Sequence, residues 1–161
     1  PALKGELTVV SSGITEVFEA MRPILEKIAK EIFHLPTPSS ATKMKLINNL
    51  CLGSFMATLA ECTALAESCE IPKAKALEIL GVGGGQSLVL KAKTQKLIDE
   101  DFSAHFSNNA INKDLHLLQD LAYNLKLPLY SACVPKELFS KMKMMGKGEE
   151  DFSSIYQLFK K

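Results

Sequence analysis

The chain has no tryptophan and no surplus of charge. Its 161 residues carry 19 basic and 18 acidic side chains, a formal charge of +1. That balance leaves no electrostatic footprint for a nucleic acid or an anionic membrane. Paired cysteine motifs are also missing. Cys51, Cys62, Cys69 and Cys133 show no CxxC spacing, and three of them fall in one apolar stretch that reads as a helix. This argues against a disulfide framework or a zinc site and for a reducing compartment: the cytoplasm, or the mitochondrial matrix if a transit peptide was removed. His34, His105 and His116 are scattered and no HExxH occurs, so no metal set or nucleophilic triad is expected and the three read as structural. No basic n-region precedes an apolar leader, and the apolar run after Leu46 is broken by Asn48, Asn49, Glu61 and Glu67, which speaks against export or a membrane span. The first residue is Pro1 rather than methionine, so the chain is expected to be a processed product or a piece of a longer one.

What is present is an ordinary core-forming composition, 47% hydrophobic, enough for one domain with a small appended piece. Leu7-Thr8-Val9-Val10 reads as a strand closed by Ser11-Ser12-Gly13. A helical pattern follows, with Val17, Phe18, Met21, Ile24, Leu25 and Ile28 at three- and four-residue spacing. Glu31 to Leu35 has the length of an edge strand and stops at Pro36. Residues 1–36 therefore look like the tail of an α/β sheet, marginally stable as an isolated two-strand piece.

Beyond that point strand patterns nearly vanish. Thr37 suits an N-cap with Pro38 at the first helical position, and the helical pattern then runs to Ile71-Pro72, roughly 30 residues, with apolar side chains on nearly every face. Such a helix is expected to be buried on most sides. Gly53, Ala57, Ala60 and Ala64 form a ridge of small residues that admits a close helix or subunit contact. Further helices are predicted at about 73–80, 86–98, 108–125, 129–145 and 151–159, without internal repeats. The Gly81-to-Gly85 cluster follows a helix rather than a strand, so it reads as an interhelical turn, with Ser87 capping the next helix, in preference to a phosphate loop. Met142, Met144 and Met145 read as packing residues rather than a partner groove.

One constellation stands out chemically. Lys45 is followed a helical turn later by Asn48 and Asn49, which puts an ammonium and carboxamides on one side of an apolar helix. On spacing alone, a lysine snorkelling to water with asparagines satisfying backbone groups explains this. The alternative is a proton-transfer site: a lysine gives a proton to a carbonyl oxygen or removes one from an alcohol, while an asparagine offers donor and acceptor to a substrate oxygen.

Lys45-Leu46-Ile47-Asn48-Asn49 resembles the Lys-x-x-Asn-Asn element of the β-hydroxyacid dehydrogenases, the family of 3-hydroxyisobutyrate dehydrogenase, tartronate semialdehyde reductase and succinic semialdehyde reductases. Gly5-Glu6-Leu7-Thr8, Arg22-Pro23-Ile24-Leu25, Ile32-Phe33-His34, the glycine cluster, Asp101-Phe102-Ser103 and Lys113-Asp114-Leu115 follow in the family's order, so the resemblance covers essentially the whole chain. It implies a mainly α fold, a 6-phosphogluconate dehydrogenase C-terminal-like helical domain around a long central helix (37–161). This domain serves substrate binding and dimerisation, and residues 1–36 are the remnant of an NAD(P)-binding Rossmann domain. It also implies Lys45 as the catalytic lysine, Asn49 and Asn48 as substrate-binding, Lys113 near the nicotinamide end of the cofactor, and Phe106 lining the same cleft. The cofactor implied is NAD or NADP, held mainly by an absent domain whose GxGxxG does not occur in 1–161. The ligand implied is a small 3-hydroxyacid or semialdehyde, and the assembly a homodimer or homotetramer formed through the helices. On its own the fragment is expected to bind dinucleotide poorly and to be inactive.

The chain departs from the family pattern twice: Ser39 and Ala41 stand where members often have glycines that permit close backbone approach at a helix start, which bears on substrate and cofactor fit, and Ser11-Ser12-Gly13 replaces a paired glycine in a turn. Lys113 lies off the stripe of Ile111, Leu115, Leu118, Ala122 and Leu125, where a solvated lysine paired with a neighbouring acid is the ordinary reading. The rival from another class is a non-catalytic helical oligomerisation module of the same fold, against which the retained Lys45 and Asn49 argue.

Overall fold

The computed structural model describes residues 5–160, so Pro1 lies outside the described residues. The chain divides into two compact units, Pro1–Ile47 and Asn48–Lys161. In the first, strand β1 (Leu7–Ser12), helix α1 (Thr15–Leu25) and strand β2 (Ala29–Leu35) form a parallel β-α-β unit with Val9 opposite Ile32 and Ser11 opposite His34. Parallel pairing demands a crossover, and α1 supplies it. The helix ends at Leu25 rather than at the apolar Ile28. Lys27 N–H donates to Ile24 and Ile28 N–H to Leu25, so the last turn tightens before β2 begins. Phe18 is the buried residue of α1 and stacks flat on His34, with ring centroids 4.3 Å apart. The His34 nitrogens sit 3.0 Å from Ser11 Oγ and 3.3 Å from Thr15 Oγ1, a structural assignment for that histidine. Ile14, Val17, Met21 and Ile24 stay exposed, because two strands cover only one side of an amphipathic helix.

Helix α2 (Ser40–Ser68) begins later than the Thr37-Pro38 pair predicts. Ser39 adopts a left-handed φ of 66°, and Ser40 N–H donates to Thr37, so a turn precedes the helix and Thr37 is not its cap. That φ is one a glycine accepts without penalty, which gives a physical reason for the glycine often found at this position in the resembling family. By length and composition alone α2 is apolar enough to cross a membrane, with 44% of its apolar window buried.

The second unit packs α3 (Lys73–Val82), α4 (Leu88–Asp99), α5 (Asn108–Asn124), α6 (Tyr130–Met144) and a 3-10 helix (Phe152–Leu158) with the remainder of α2. The ridge of small residues is in use. A Cβ on Gly53 would stand 3.2 Å from Leu115 and 3.5 Å from Phe139, so α5 and α6 approach α2 where its side chains are smallest. Ala57, Ala60 and Ala64 are buried with Met56, Leu77, Leu97, Ile111, Phe139 and Tyr156. The opposite face of α2 is not covered: Phe55 and Leu65 are exposed, so the expectation of burial on most sides fails for this chain.

Ser87 caps α4 by accepting from Leu90 N–H at 3.0 Å, as its position predicts. Among Gly81 to Gly85 no φ is left-handed. The demand for glycine is at Gly85, where a Cβ would come within 3.0 Å of the Leu80 side chain. The predicted C-terminal α-helix is instead the 3-10 run, capped by Asp151, whose carboxylate accepts from Ser153 N–H at 3.1 Å and from Ser153 Oγ at 2.7 Å. Asp151 also receives Lys93 Nζ at 2.9 Å and His105 N–H at 3.0 Å, all with the carboxylate fully buried. Burial alone would raise its pKa. The Lys93 and Ser153 hydrogen bonds outweigh that and hold it below the ordinary carboxylate value.

Candidate active site

The residues singled out by the sequence fall into three situations. Lys45 and Asn48 are exposed on α2, Lys45 in the first unit and Asn48 in the second. Asn49, next along the same helix, is buried. Its Nδ2 donates to Asp114 Oδ2 at 2.7 Å, within the second unit. This bond links two motifs 65 residues apart, the Asn-Asn pair of α2 and the Lys-Asp-Leu element of α5.

Lys113 projects off the buried stripe of α5, with its side chain 67% exposed and its Nζ 3.8 Å from Asp114 Oδ1. The ordinary reading, a solvated lysine beside an acid, describes its geometry. Being exposed and only loosely paired, the ammonium is available to an additional anionic or carbonyl partner. Phe106 is half-buried and meets Phe152 edge-on, with centroids 5.9 Å apart. Its carbonyl also accepts from Phe152 N–H at 2.9 Å, so the Phe106 backbone is tied to the start of the 3-10 helix. The structure thus joins Asn49 to the element bearing Lys113, and ties Phe106 to a different part of the unit.

The residue that sequence reasoning passed over is Asp114. It is 2% exposed and carries the bond to Asn49, yet it drew attention only as the middle of a tripeptide. A signal was available. Counting from Ile111, Asp114 falls one turn on, at the spacing of Leu115 and Leu118, so an acid occupies the core-facing side of an amphipathic helix. An acid there needs a partner. Among the described residues no group of three His, Cys, Asp or Glu side chains could hold a metal ion.

Residues 39–159 match the family described as the NAD-binding domain of NADP-dependent 3-hydroxyisobutyrate dehydrogenase. The chain is 32% identical over 156 residues to 2-(hydroxymethyl)glutarate dehydrogenase of Eubacterium barkeri, covering 96% of this chain and 52% of that protein. It is 30% identical over 159 residues to L-threonate dehydrogenase of Escherichia coli K12, covering 98% and 53%. Among solved structures, 3-hydroxyisobutyrate dehydrogenase from Salmonella typhimurium superposes with a TM-score of 0.92 at 29% identity, over 98% of this chain and 55% of that one. The chain therefore spans about half the length of the relatives it matches.

Proposed function

From the premise that this chain belongs to the family of NAD-binding domains of NADP-dependent 3-hydroxyisobutyrate dehydrogenase, we propose that it is the C-terminal part of an NAD(P)-dependent 3-hydroxyacid dehydrogenase. Its ligand is a small 3-hydroxyacid or the corresponding semialdehyde. Residues 1–36 complete a Rossmann domain supplied by the rest of the protein, and the helices from 37 onward serve substrate binding and self-association, in the cytoplasm. The observation that carries this reading is the buried Asn49–Asp114 hydrogen bond, which brings together the two motif-bearing helices of a family whose named relatives act on hydroxyacids.

A bound nicotinamide would supply hydride-transfer chemistry at the substrate's hydroxyl-bearing carbon. Everything else falls to side chains. Lys45 as a neutral amine takes the hydroxyl proton in the oxidative direction, becoming an ammonium, and as an ammonium gives a proton to the carbonyl oxygen in the reductive direction. Asn49, buried and held at one end, positions a substrate oxygen, and Asn48 contributes from the adjacent exposed position. Lys113, exposed and loosely paired, fits a contact to the cofactor's nicotinamide end, and the half-buried Phe106 ring fits the wall of a cleft.

Self-association as a homodimer or homotetramer is supported by Phe55 and Leu65 on α2 and by Val82 and Leu88 around the glycine turn, large apolar side chains the second unit leaves in water. The test uses the full-length protein with 3-hydroxyisobutyrate and L-threonate, NAD+ and NADP+, and Lys45→Ala. Loss of an effective general acid-base group is expected to lower kcat by about 10²- to 10⁴-fold. Unchanged turnover removes Lys45 from the mechanism, and robust turnover by the 161-residue chain alone overturns the assignment of the cofactor to the missing half.

A further inference from the structure

We infer that Asp114 is a positioning residue that fixes the orientation of the Asn49 amide, so that Asn49 meets a hydroxyl of the substrate with its carbonyl oxygen as the acceptor. The inference rests on the reading of Asn49 as substrate-binding given above.

A carboxamide can turn over, exchanging its donor and acceptor ends, and an asparagine free to do so accepts either a hydroxyl or a carboxylate as partner. Asn49 lacks that freedom. Nδ2 lies 2.7 Å from Asp114 Oδ2 in a buried environment, and a carboxylate accepts but does not donate. The reversed amide would set two acceptor oxygens against each other out of water, which costs both the bond and a desolvation penalty. The carboxylate is itself held. Asp114 is 2% exposed on the core-facing side of α5, and its other oxygen, Oδ1, faces Lys113 Nζ at 3.8 Å.

With one Nδ2 hydrogen committed to Asp114, the amide orientation is set, and Asn49 keeps its carbonyl oxygen Oδ1 as an acceptor and its second N–H as a donor, each in a fixed place. A substrate hydroxyl can donate to that oxygen, which a carboxylate cannot do. A site whose polar groups are fixed in this sense discriminates against ligands lacking the matching group far more strongly than a site that can adapt. Asp114 does this without touching substrate.

The decisive experiment uses the full-length protein, with Asn49→Ala, Asp114→Asn, their double variant, and the swap Asn49→Asp/Asp114→Asn. The swap rebuilds the hydrogen bond with its ends exchanged and still presents an oxygen. With 3-hydroxyisobutyrate and L-threonate, Asp114→Asn is expected to raise KM about tenfold with a smaller change in kcat, the double variant to be no worse than Asn49→Ala, and the swap to recover part of the loss. A purely structural aspartate would lower the active fraction and the melting temperature while leaving KM alone, and its effect would multiply with that of Asn49→Ala. Either result overturns the proposal.

Nitrogen-15 NMR of the unmodified protein decides the matter if the variants fail to fold. The Asn49 side-chain amide protons should exchange slowly with solvent and remain distinct, and exchange at the rate of a free carboxamide overturns the proposal. Lys45→Ala separates the two levels. Undiminished turnover in that variant sinks the dehydrogenase reading of the site, whereas fast Asn49 amide exchange with Lys45 still essential sinks the role of Asp114 alone.

Discussion

The tripeptide Asp-Phe-Ser occurs twice in the second unit, in an irregular segment at 101–103 and at the start of the 3-10 helix at 151–153, and the two copies share a local hydrogen-bond pattern while differing in burial. In each, the aspartate accepts from the serine amide two residues on, at 2.9 Å for Ser103 and 3.1 Å for Ser153, and from the same serine's hydroxyl. Each also takes an ammonium from α4: Lys96 Nζ stands 3.2 Å from Asp101 and Lys93 Nζ 2.9 Å from Asp151. The two loops touch, with Asp151 N–H donating to Phe102 O at 2.8 Å. Asp101, however, is 56% exposed, whereas Asp151 is fully buried and also anchors the amides of His105 and Phe106. The lesson is that a local hydrogen-bond pattern specifies a turn. How much stability depends on that turn is set by whether water can replace the bonds.

The sharpest way to break this comparison is to neutralise each aspartate. Asp151→Asn leaves the Lys93 ammonium buried without its counter-charge, and removing one partner of a buried pair costs about 3–5 kcal/mol. Urea unfolding followed by circular dichroism should record that loss, while Asp101→Asn barely moves the midpoint. Adding Lys93→Met to Asp151→Asn should restore part of the stability, because the orphaned charge is then gone. Equal effects at 101 and 151 would show that burial is not what separates the copies.

Serine truncation probes the same contrast at smaller amplitude. Ser153 is fully buried and its hydroxyl donates to Asp151, so Ser153→Ala is expected to cost about 1–2 kcal/mol. Ser103 is exposed, and Ser103→Ala should leave the unfolding midpoint within experimental scatter. Paired melting curves of the two variants check this. A loss at Ser103 matching that at Ser153 would mean that the exposed turn holds the fold as firmly as the buried one.

Legibility in the sequence followed the same division between local pattern and tertiary context. The β-α-β start, the long helix, the breaks at Pro72, the glycine cluster and Pro128, and the Ser87 cap all follow from periodicity and end signals, which are local. The start of α2 did not follow, because the left-handed Ser39 can be read from the sequence only if glycine is expected there. The C-terminal segment read as α-helical because its apolar residues suit either period. Its 3-10 helix is capped by Asp151, whose partners Lys93 and His105 are distant in sequence. At the candidate site, Lys45, Asn49 and Lys113 were visible as motif residues. Asp114 became visible only when α2 and α5 were packed together, although its place on an apolar stripe marked it as an acid in need of a partner.

Acid and salt give the finest test of the two copies. The Ser103 amide and hydroxyl, with Lys96, hold the Asp101 carboxyl down to about 2, below its ordinary 3.8. A folded pKa below the unfolded one means that this turn's contribution is present above about pH 3.8 and is lost as the pH falls through about 2. The same sign holds at Asp151, also held below 3.8, but there protonation must break a buried ion pair, so acid should unfold the unit cooperatively around it. Chemical shifts of the Ser103 amide should therefore titrate near pH 2 in whatever fraction remains folded, while the Ser153 amide changes only with global unfolding. Raising the salt concentration should speed Ser103 amide exchange slightly by screening the half-exposed Lys96–Asp101 pair and leave Ser153 untouched. A Ser153 amide that titrates separately from unfolding would show that water reaches Asp151 in the native state, and the contrast between the copies would then be one of degree.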